Sequence, residues 1–148
     1  MLRAIVGAHR RHRTRCPYER GALFKRELPC ILEVVANAPQ LDILIVDGYA
    51  TLDPDGSPGL GAHAAAATGI PVIGLAKTPY RTATHAAEVI RGSATRPLYV
   101  TASGLSNTNA ARIVKEMTGT NRIPNAVARA DDLARGRGSP TRPGTSCT

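Results

Sequence analysis

The sequence predicts an α/β fold, and three stretches of it carry that expectation. Leu41 to Val46 (LDILIV) is a short, nearly continuous apolar run rich in branched residues and closed by Asp47-Gly48. That is the pattern of a strand covered on both faces, as in a parallel sheet. Gly61 to Thr68 is Ala-rich and stops at Gly69, a good residue to follow a helix. Ile70 to Leu75 (IPVIGL) then reads as the next strand, with Pro71 near its start. Strand, helix and strand in succession call for layers of helix on sheet.

The remaining elements follow in order. Residues 1–15 carry five Arg and two His with no sustained period, so they read as a basic arm or the remnant of a lost strand. Pro29 suits the first turn of a helix, where its missing N–H would be unpaired anyway, and Cys30, Ile31, Val34 and Val35 then share a face. Thr84 to Arg91 reads as a short helix and Pro97 to Val100 as a short strand. Asn107 or Thr108 can cap a helix running to about Met117, and a last helix covers Asn125 to Ala134. From Arg135 the chain is rich in Gly, Pro, Ser and Thr and cannot bury enough apolar area to offset its entropy, so residues 135–148 are expected to be a disordered tail. One α/β domain is therefore expected over residues 16–134.

A chain of 148 residues suits a single domain. With no Trp, one Phe and four Tyr, its core must be aliphatic. Nineteen Lys and Arg against eleven Asp and Glu leave a formal charge of +8, which favours a polyanionic partner. Cys16, Cys30 and Cys147 are odd in number and include no CxxC pair, so neither a disulfide framework nor a zinc cluster is encoded. No apolar run approaches the ~18–20 residues of a membrane span. A cytoplasmic protein without a membrane partner is the expectation.

Asp47 is the sharpest single residue. A carboxylate at the carboxyl end of a buried parallel strand lies where open α/β sheets place their ligand crevices; the alternative is that it opens a turn by accepting backbone N–H bonds. Glu27, in FKRELP beside Lys25 and Arg26, is by itself equally a solvated acid near a helix start. Together, two carboxylates from separate elements can hold Mg²⁺, which takes oxygen ligands, keeps several waters and activates phosphate chemistry.

The motifs run in a fixed order: Pro17-Tyr18 with Phe24 and Arg26-Glu27 ahead, IVDG at Ile45 to Gly48, PGLGAH at Pro58 to His63, and IPVIGLAK at Ile70 to Lys77. Together they resemble the endonuclease V family, with a weaker continuation through Arg122 to Pro124. The resemblance implies a ribonuclease H-like sheet flanked by helices. It also implies Mg²⁺-dependent cleavage of the second phosphodiester 3′ to deoxyinosine or other damaged bases in DNA, a repair reaction, and a Tyr-bearing wedge that separates bases at the lesion. Carried onto matching positions, Glu27 and Asp47 are metal ligands, Lys77 lies near the scissile phosphate, and Tyr18 belongs to the wedge. Gly59 and Gly61 fall on the loop that approaches the lesion, where glycine permits close backbone contact with a flipped base. His63 matches a family position often held by His, but on an Ala-rich helix a packed or capping role is favoured.

The chain departs from the family pattern in places. The family's opening strand hairpin, with its D-x-S or D-x-G acid, has no counterpart, so the first strands of the sheet are expected to be missing; the first acid here is Glu19. Ser103 stands where the family usually has the His of GH[RK], Glu19 and Arg20 replace an apolar residue and Pro in the wedge, and VDGY replaces VDGH. Two functions are weighed: a nuclease acting as a monomer on inosine-containing DNA or RNA, and a catalytically inactive domain of the same family that binds nucleic acid through its basic surface. A phosphate-metabolite binder at the Asp47 edge is a third, unsupported by any Walker A or dinucleotide fingerprint.

Overall fold

A computed structural model describes residues 4–6 and 23–134. Tyr18, expected in the wedge, and the expected tail at 135–148 lie outside the described residues, as does most of the N-terminal arm. Five strands form one mixed sheet of order β1-β2-β3-β5-β4. The strands are β1 Ala4–Val6, β2 Ile43–Asp47, β3 Val72–Ala76, β4 Ala87–Val89 and β5 Leu98–Ser103. The helices are α1 Leu23–Ala36, α2 Leu60–Thr68, α3 Asn107–Glu116 and α4 Asn125–Ala134. β1, β2 and β3 run parallel. β5 runs antiparallel to both β3 and β4, so only half of the sheet is of the parallel kind.

The LDILIV run becomes a strand with cores on both sides. Ile43 and Ile45 face one cluster with Ile73, Leu75, Leu98, Val100, Ala110, Val114 and Val127. Leu44 and Val46 face the other with Ile31, Leu60, Ala64 and Val72. Alternate residues of a strand point to opposite faces, so α3 and α4 cover one side and α1 and α2 the other. Burial on both faces is what allowed this strand to be apolar without alternation.

Three elements differ from expectation, each because packing outweighs local preference. α1 begins at Leu23, six residues before Pro29, which sits inside the helix. Phe24, Leu28, Ile31 and Val35 form a stripe at helical spacing that packs on the second core, and burying it offsets the amide hydrogen bond that Pro29 cannot give. Thr84 to Arg91 contains no helix: Ala87–Val89 pairs with β5, Ala87 opposite Val100 and Val89 opposite Leu98. Val89 is thereby buried at the sheet's core. The cap of α3 is Ser106, whose side chain accepts from the Asn109 N–H. Asn107 instead accepts from Ala102 N–H at 3.0 Å and donates to the His85 carbonyl at 3.2 Å. α2 ends as the sequence suggests, on Gly69 in the left-handed conformation.

Candidate active site

The parallel strands β2 and β3 deliver their carboxyl ends to one place. Asp47 pairs in register with Leu75, and Gly48 N–H continues the ladder to the Leu75 carbonyl at 3.0 Å. Gly48 then turns the chain off the sheet with φ 123°, a conformation that a side chain resists. Lys77 follows directly on β3, so Asp47 and Lys77 emerge side by side.

The Lys77 ammonium lies 3.7 Å from the Asp47 carboxylate and 2.5 Å from that of Asp131, on α4. Lys77 and Asp131 are each about a quarter exposed, at 29% and 27%, while Asp47 is open at 55%. One cation between two carboxylates leaves a net negative charge, held where solvent screening is partial. Asp131 was missed from sequence, where it is one more acid on an amphipathic helix. Its only signal is position, nine residues beyond the Arg122 that opens the RIP motif.

Two arginines lock this end of the sheet through the backbone. Arg122 donates to the carbonyl of Lys77 at 2.6 Å, to that of Pro97 at 2.8 Å and to that of Arg96 at 3.1 Å. It thus ties the end of β3 to the start of β5 and to the segment leading into α4. Arg91, buried at 4% exposure, donates to the carbonyls of Met117, Gly119, Asn121 and Arg122. Desolvation holds its guanidinium below the usual arginine range, and its Nε is buried without a partner.

The loop after Asp47 is stitched across the top of the sheet. Ala50 N–H donates to the fully buried Thr101 hydroxyl at 2.8 Å, and the Ala50 carbonyl accepts from Gly59 and Ala62 N–H. Gly59 and Gly61 are required by this closeness. A Cβ on Gly59 would stand 2.5 Å from the Tyr49 carbonyl oxygen, and one on Gly61 2.7 Å from Ala50 Cα. Their expected role beside a base is thus matched by a packing reason. Asp53 closes the outer turn, its carboxyl held low by the Ser57 hydroxyl and amide.

Glu27 is half-buried on α1, beside Leu28 of the core-facing stripe. The structure therefore brings Asp47 and Lys77 together and adds Asp131. Among the described residues, no three His, Cys, Asp or Glu side chains gather closely enough to enclose a metal ion. His63 takes the packing role, its ring stacked on Phe24 at 3.8 Å between centroids and so joining α2 to α1. Ser103 ends β5, opposite Val72. A surface hollow of about 340 Å³ is lined by Cys30, Glu33, Val34 and Asn37, none of them a candidate residue.

The endonuclease V family profile matches residues 2–96, which include Glu27, Asp47 and Lys77. The chain belongs to the endonuclease V family. It is 34% identical over 143 residues to the endonuclease V of Streptomyces coelicolor, covering 80% of this chain and 60% of that one. To the Streptomyces avermitilis endonuclease V it is 31% identical over 140 residues, covering 80% and 61%. The chain thus spans about three fifths of the length of these relatives. The fold agrees with the family: the S. avermitilis endonuclease V crystal structure superposes with a TM-score of 0.67 at 26% identity, covering 81% of this chain and 61% of that one. The catalytic domain of human endonuclease V gives 0.69 at 26% identity, covering 82% and 64%. A Ciona intestinalis endonuclease V, in complex with DNA containing an inosine followed by a ribo-adenosine, shares the fold at 18% identity and a TM-score of 0.64, covering 82% of this chain and 67% of that one.

Proposed function

We propose that this endonuclease V-family chain is a Mg²⁺-dependent endonuclease that nicks DNA, or RNA, containing deoxyinosine or another altered base, acting as a cytoplasmic monomer. The observation that carries the reading is the Asp47–Lys77–Asp131 constellation at the carboxyl ends of two parallel strands. Its donors are of the kind the ion takes: carboxylate oxygens from separate elements. Asp47 and Asp131 would hold Mg²⁺, with Glu27 as the further ligand the family resemblance supplies. When bound, Mg²⁺ contributes Lewis-acid polarisation of a phosphate and a lowered pKa for water.

The chain's own residues do the rest. The Lys77 ammonium, between Asp47 and Asp131, is a point charge suited to the negative charge that grows on phosphate oxygens as the bond breaks. Arg122 fixes the Lys77 backbone, so the side chain is aimed from a rigid base. The loop of Gly59 and Gly61 offers bare backbone to an extruded base, and Tyr18 would serve the wedge.

The test is incubation of the purified chain with Mg²⁺ and DNA bearing one deoxyinosine. A nick 3′ to the lesion is expected, and Asp47→Ala should lower its rate at least a hundredfold, as loss of a central charged group typically does. Cleavage that survives Asp47→Ala removes Asp47 from the site. A second reading, binding without cleavage, is favoured by the lack of three gathered ligands among the described residues. It requires affinity for inosine-containing DNA that persists in a chelator and falls steeply with salt.

A further inference from the structure

Tyr49 and Tyr80 stand together beside the charged constellation, and the sequence reading gave neither of them a role. Tyr49 follows Asp47 by two residues and Tyr80 follows Lys77 by three, so the two turns leaving the carboxyl ends of β2 and β3 each bring an aromatic ring. The ring centroids are 5.8 Å apart and tilted by 47°, an arrangement that aromatic quadrupoles favour. Tyr80 is nevertheless 49% exposed, one of three large hydrophobic side chains that are exposed among the described residues.

The pair is held rigidly. The Tyr49 hydroxyl donates to the Thr78 carbonyl at 2.8 Å, and the Tyr80 backbone N–H lies against the Tyr49 hydroxyl oxygen. Ala83 N–H closes a turn onto the Tyr80 carbonyl at 3.0 Å. Thr82 donates to the Leu52 carbonyl at 2.6 Å, and the Thr51 hydroxyl and His85 Nε2 share a hydrogen bond at 2.6 Å. Both turns are thus sewn to each other, and the Gly61 N–H to Tyr49 carbonyl bond joins the glycine loop to them. An exposed ring on a turn this well fixed, resting against Tyr49, presents a flat face from a backbone already in place.

Resting on the nuclease-family reading above, we propose that Tyr80, backed by Tyr49, is a stacking platform for one nucleobase of the bound strand, next to the phosphate that Lys77 faces. The chemistry matches on both sides: an aromatic face for any base, a strand-end ammonium for the adjoining phosphate, and a chain of net charge +8 for the backbone. The platform is separate from the wedge expected at Tyr18. It selects for the presence of a base and not for its identity, because every base has a π face.

The experiment measures binding of the full 148-residue chain, in a chelator so that no cleavage intervenes, by fluorescence anisotropy of a labelled single-stranded 12-nucleotide DNA and of an abasic strand of equal length. Tyr80→Ala and Tyr80→Leu should weaken binding of the base-bearing strand by about 5- to 150-fold. Tyr80→Phe should bind like the unsubstituted chain, and the abasic strand should bind all four proteins alike. Circular dichroism melting confirms that the variants are folded, as expected for a half-exposed side chain. Binding of the base-bearing strand unchanged by Tyr80→Leu, or an equal loss for the abasic strand, overturns the platform. If the unsubstituted chain nicks inosine-containing DNA while Tyr80→Leu binds normally, the platform fails and the nuclease reading stands. Failure of the unsubstituted chain to bind the base-bearing strand in the chelator also overturns the platform, while the nuclease reading stands or falls on the cleavage test with Mg²⁺.

Discussion

Individual residues in this chain work through backbone carbonyls as much as through one another. Arg91 is the clearest case: a buried guanidinium answers four carbonyls of the segment between α3 and α4 without a carboxylate. Hydrogen bonds to a charged donor are each worth about 1.5–3 kcal/mol, and carbonyls left unanswered in the interior cost further. Arg91→Ala should therefore destabilise the fold by about 3 kcal/mol or more in urea titration, and Arg91→Lys should recover little, since one ammonium cannot span four diverging acceptors. A loss below about 1 kcal/mol would show that water replaces the guanidinium. Asp47 and Lys77 were legible in sequence because each closes a recognisable strand. Asp131 was not, because its partnership with Lys77 spans 54 residues and exists only once α4 has docked.

Elements were legible where their pattern records burial that they keep in the fold. The β2 run is apolar throughout because it meets a core on each face, and α4 has the bounds its pattern gave. β4 was misread because Ala86, Ala87 and Glu88 prefer helix in isolation, and the pairing with β5 that overrules them is invisible locally. α1 was placed late for the converse reason. Pro29 is a start signal by propensity, whereas the Phe24 to Val35 stripe needs the whole helix to cover the core. The seat of α2 is closely specified, since Gly61 lies against Ala50 with no room for a methyl group and against Val72 beyond it. Gly61→Ala should lower stability by about 1–3 kcal/mol as helix and strand are forced apart, despite the higher helix propensity of alanine. A thermal melt that rises instead would mean that α2 slides freely.

For the molecule as a whole, the layered plan followed from the sequence, while the antiparallel half of the sheet did not. β4 has only three residues, and nothing in the composition of β4 or β5 gives direction. The family pattern supplied the site and its order along the chain, but the convergence of α4 on the ends of β2 and β3 came only from the fold. β1 carries a consequence for motion. It adds three residues to the sheet edge, pairing Ala4, Ile5 and Val6 with Ile43, Leu44 and Ile45, partners 39 residues away in sequence. Three rungs set against the closure of so long a loop make a shallow local well, with opening far cheaper than global unfolding. Amide hydrogen exchange should then proceed in two tiers. The β1 amides should exchange at least a hundredfold faster than those of β3, which has a neighbour on each side, and protection as strong in both would mean that the edge strand opens only when everything does.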